Sequence, residues 1–146
     1  MNEIISMELN ILKNLKYEII TASPYQFLTI LFQNLKEIDR KKDEIIYLAQ
    51  YILELSLLEY KMLKFPASVK ACAALYIARK LLKYENSWSK ELKNVFQIYD
   101  GVLRTCAKEF TELVNFGNKT ILKSLRNKYM SERFLGVYKI VENFSK

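Results

Sequence analysis

The stretch FPASVKACAALYIARKLL, residues 65–82, constrains the fold most, because no charge interrupts it between Lys70 and Arg79. At helical spacing one face is Ala71, Ala74, Leu75, Ala78 and Leu82, and another is Val69, Cys72, Tyr76 and Ile77. A helix apolar on more than one side is enclosed by other helices or by lipid. Length excludes lipid: the uncharged run rises only about 12 Å as a helix, against roughly 30 Å of bilayer core. The spacing therefore predicts that residues 66–83 are the central helix of a bundle. Alanines let neighbouring helices come close, while larger residues fill the layers between them. Cys72 fits wherever alanine fits and is read as a small core residue; Cys106 is read the same way.

The rest of the chain agrees with a helical bundle. At 146 residues and 51% hydrophobic content, one domain with a sizeable core is expected. Only 3 Gly and 2 Pro leave few points for hairpins, which favours an all-α protein. There is no histidine, which removes His-based acid–base catalysis, Cys-His nucleophile pairs and most zinc sites. Neither cysteine has a histidine to lower its pKa, no acidic pair has metal-ligand spacing, and no Gly-rich phosphate loop exists. The chain reads as a non-enzyme without cofactor or metal. Its net charge of +7 would suit an anionic partner. The basic residues are scattered among acids, however, and the tightest cluster, Arg40-Lys41-Lys42, is followed at once by Asp43-Glu44. A solvated basic exterior without a specific nucleic acid is the reading. No stretch approaches transmembrane length and the N-terminus lacks a signal-peptide layout, so an intracellular chain with no membrane partner is expected.

Periodicity divides the sequence into successive helices. The first covers about 3–18. Ser23 and Pro24 are a cap and a first-turn residue for a second helix that reaches about Ile38. A third runs from about Asp43 to Tyr60 with a seam of Ile45, Leu48, Ala49, Ile52, Leu55 and Leu58. After the central helix, Ser89 caps a short helix to about Phe96, and Asp100 is the expected cap of another through Leu103, Cys106, Phe110 and Leu113 to about Phe116. Gly117-Asn118 reads as a stop signal. A further helix is expected over about Lys119 to Tyr129, followed by an apolar tail, Arg133 to Phe144.

The run Tyr51-Ile52-Leu53-Glu54-Leu55-Ser56-Leu57-Leu58-Glu59-Tyr60, then Phe65-Pro66-Ala67-Ser68, then Ala71-Cys72-Ala73-Ala74-Leu75-Tyr76-Ile77-Ala78-Arg79, resembles the C-terminal cyclin box of mitotic (A/B-type) cyclins. Trp88, the segment Tyr99 to Lys108, and Lys128-Tyr129 before Ser131 and Arg133-Phe134 continue the similarity in order. Upstream, Met7 to Ile19 resembles the final helix of the first cyclin box, and Pro24 to Leu28 the junction between boxes. The resemblance implies a five-helix bundle with one helix at its centre, the place that periodicity independently gives residues 66–83. Residues 1–21 would be the last helix of an otherwise missing N-terminal cyclin box, and 22–146 the C-terminal box. It also implies a function: regulatory subunit that binds and activates a cyclin-dependent protein kinase in cell-cycle control, in nucleus and cytoplasm. Carried over by position, the kinase-binding residues would be Glu8, Leu12 and Ile19.

Two further expectations follow. The first helix has more apolar residues than one stripe, so it should show an exposed patch or support self-association. The alternative function is a cyclin-box module of transcription-factor type, binding DNA or protein partners without a kinase.

Overall fold

A computed structural model describes residues 2–35, 40–120 and 123–144, and the side chains of these other than 40 and 116–120. In chain order the helices are α1 (Asn2–Asn14), α2 (Pro24–Gln33), α3 (Arg40–Leu55), α4 (Ala67–Leu81), α5 (Lys90–Phe96), α6 (Asp100–Thr120), α7 (Lys123–Met130) and α8 (Tyr138–Phe144). Short 3-10 turns occupy Ser56–Leu58, Tyr60–Lys64 and Glu132–Phe134, and no strand occurs among the described residues. The all-α expectation holds.

α4 is the hub, packed against α2, α3, α6 and α8. Ala71, Cys72, Ala73, Ala74, Leu75 and Ala78 are fully buried, so the helix is enclosed all the way round. The small side chains permit this, because a neighbour can approach an alanine face more closely than a leucine face. Leu28 and Leu31 of α2, Ile45, Leu48 and Ile52 of α3, and Phe110 of α6 supply the bulk around it. The C-terminal segment closes one end: Tyr51 stacks edge-on against Tyr129 at 5.3 Å and Tyr138 at 5.7 Å, and Val137 and Val141 are buried.

The signal at Ser23-Pro24 works as expected. The Gln26 N–H donates to Ser23 Oγ at 3.4 Å, and the Ser23 N–H donates to Gln26 Oε1 at 2.7 Å, a complete capping box. Ser89 likewise accepts from the Leu92 N–H and caps α5.

Several boundaries differ. α1 ends at Asn14 rather than near residue 18, because a Schellman turn stops it. The Tyr17 N–H donates to Leu12 O at 2.9 Å and the Lys16 N–H to Lys13 O at 3.0 Å. Lys16 sits at the left-handed position (φ 52°) where glycine is usual, so composition gave no warning. α3 begins at Arg40 and tightens into 3-10 turns after Leu55; the Ser56 hydroxyl donates to Leu53 O at 2.6 Å there. Leu58 consequently leaves the seam and is 49% exposed. Asp100 is the first residue of α6 rather than its cap, the N–H groups of Val102 and Leu103 both donating to Tyr99 O. α6 also continues through Gly117-Asn118 to Thr120, so that pair is not a stop, and α7 starts later than expected, at Lys123. The expected end of the second helix near Ile38 lies outside the described residues; its described part ends at Gln33 with Asn34 as cap.

Candidate functional site

α1 buries none of its residues. Ile4 is 74%, Met7 60% and Ile11 52% exposed, and Ile5, Leu9 and Leu15 are exposed too; Leu12 alone on this helix is half-buried. At 3.6 residues per turn Glu8 lies about one turn from Ile4, Ile5, Ile11 and Leu12 and two turns from Leu15. A single exposed carboxylate thus stands in the middle of a broad apolar arc. The polar residues Asn2, Ser6, Asn10 and Lys13 fall on the opposite side of the helix.

Of the three residues singled out from sequence, Glu8 and Leu12 are brought onto one face. Ile19 is not on the helix. It follows the turn that ends α1, with its N–H bonded to Tyr17 O at 3.1 Å, and is 58% exposed. All three remain available to a partner, and the expected exposed patch is present.

A second apolar surface was missed by sequence reading. The 3-10 turns after α3 leave Leu57 at 75%, Tyr60 at 85% and Leu63 at 68% exposure. Side chains three apart eclipse in a 3-10 helix, so Tyr60 and Leu63 line up. The signal available was Leu57-Leu58 followed by Tyr60 and Leu63; a regular α-helical reading of that stretch hides it. Between this shelf and the start of α2 lies a cleft of about 290 Å³, lined by Ser23, Pro24 and Tyr25 on one side and by Leu53, Ser56 and Leu57 on the other.

Several charged and polar groups tie the elements together. Glu54 Oε1 accepts from Lys128 Nζ at 2.6 Å and from the Tyr129 hydroxyl at 2.9 Å, tying α3 to α7. Burial, then the bond to Glu54, raises the Tyr129 phenol above its usual range. Arg79 is buried at the end of α4, over the Tyr84 ring at 4.6 Å, with Nη2 donating to Asn86 O at 3.3 Å. Burial pushes the Cys72 thiol up to about 12, with Cys106 beside it adding to the shift. Cys106 is pushed up to about 12 by burial as well. Thiols held that far from ionising are packing groups.

The family described as "Cyclin, C-terminal domain" matches residues 22–143. The chain belongs to the cyclin family. This cyclin chain is 29% identical to Cyclin-A1-1 of Oryza sativa subsp. japonica over 94% of its own length and 28% of that protein's. It is 31% identical to the G2/mitotic-specific cyclin-B of Dictyostelium discoideum over 92% of the chain and 30% of that relative. Cyclin-A1-4 of Oryza sativa subsp. japonica is 31% identical over 94% of the chain and 39% of its own length. The chain therefore spans between about a quarter and two-fifths of these curated relatives. The resemblance to A/B-type cyclins holds, and the buried α4 occupies the centre of the matched region.

Proposed function

We propose that this cyclin chain is part of a regulatory subunit that binds and activates a cyclin-dependent protein serine/threonine kinase in cell-cycle control, in nucleus and cytoplasm, and performs no chemistry itself. A cyclin acts by holding the kinase's C-helix where its Lys–Glu pair is complete and by shifting the activation loop. In this reading residues 1–21 are the last helix of a first cyclin box, and Glu8, Leu12 and Ile19 contact the kinase. The observation that carries it is the exposed apolar arc of α1 around Glu8, on a chain of cyclin family. A contiguous exposed apolar patch marks a surface for a partner, and a carboxylate in its midst needs hydrogen-bond donors from whatever covers it. The names of the relatives, A-type cyclins and a G2/mitotic-specific cyclin-B, support the mitotic assignment.

The relatives do not favour the alternative of a cyclin-box module that binds DNA without a kinase, and some of the basic side chains are already paired. Lys64, Lys93, Arg126 and Lys128 are held by Glu109, Asp100, Glu142 and Glu54 respectively. Titrating the chain against a cyclin-dependent kinase tests the proposal. Binding is expected, together with raised phosphorylation of a generic substrate. Leu12→Asp should weaken binding at least about tenfold without changing the unfolding midpoint. A kinase that neither binds the chain nor responds to it overturns the reading.

A further inference from the structure

We draw no further inference here: the strongest candidate, the apolar shelf of Leu57, Tyr60 and Leu63 beside the cleft at the start of α2, carries nothing because nothing in the structure shows what covers it.

Discussion

α1 and α4 are both apolar on more than one side, yet the bundle encloses one and leaves the other in solvent. The difference lies in the side chains. α4 is built on Ala71, Cys72, Ala73, Ala74 and Ala78, so four helices can close around it. α1 offers Ile4, Ile5, Met7, Leu9, Ile11 and Leu12, which fill space that neighbours must leave open, with a carboxylate in the middle. Breadth of the apolar face tells that a helix wants partners. Side-chain size separates a helix that four neighbours can enclose from one that this bundle leaves uncovered.

The largest expected effect sets core against arm. Leu75→Ala in α4 should cost about 2–5 kcal/mol in urea unfolding, because the surrounding helices collapse only partly into the void. Ile4→Ala in α1 should stay within about 0.5 kcal/mol. A comparable loss at Ile4, measured where the chain is monomeric, would mean that α1 is packed in solution and the contrast is false.

Next comes pH, which acts on the thiols buried at and beside the hub. Cys72 and Cys106 have an ordinary value of 9.0 and are raised to about 12 in the fold, so folding favours their neutral form. Their contribution is fully present below pH 9 and is lost as pH rises towards 12. Urea midpoints should therefore fall above pH 9, the buried phenols of Tyr51 and Tyr129 adding in the same sense at still higher pH. At pH 8 both thiols should react with iodoacetamide far more slowly in the native than in the unfolded chain. Native reaction at the unfolded rate would show that α4 opens readily.

The smallest effect is the sharpest. α4 ends in the same Schellman turn as α1: the Tyr84 N–H donates to Arg79 O and the Lys83 N–H to Lys80 O, with Lys83 left-handed at φ 59°. A lysine there costs more than a glycine. Lys83→Gly should raise the unfolding free energy by about 0.5–1 kcal/mol, net of glycine's added freedom when unfolded. Lys16→Gly, at the matching place after α1, should leave it unchanged, since α1 lies outside the cooperative unit. Equal gains at both sites would join the arm to the bundle.

Much of this was legible in the sequence. The hub was readable because length and charge left Ala71 to Ala78 only one place to go, and Ser23-Pro24 gave the start of α2 because its cap and first-turn residues are local chemistry. The ends of α1 and α4 were not readable. A left-handed lysine is chosen by the turn that forms around it, and nothing in Lys16 or Lys83 announces it. The shelf was hidden because the passage from α to 3-10 geometry at Ser56 rotates Leu57 and Leu58 off a seam that the heptad-like spacing continues. Glu8 and Leu12 could be placed on one face from spacing alone, whereas Ile19 depended on where the helix stops.

Glu54, at the end of α3, is tied to Lys128 and Tyr129 far along the chain, and Tyr129, Tyr138 and Val141 close that end of the core. A nascent chain can assemble α2, α3 and α4 while the rest is still being made, but it does so with Tyr51 uncovered. Folding is completed only once residue 141 has emerged from the ribosome, and until then chaperones have an aromatic socket to guard.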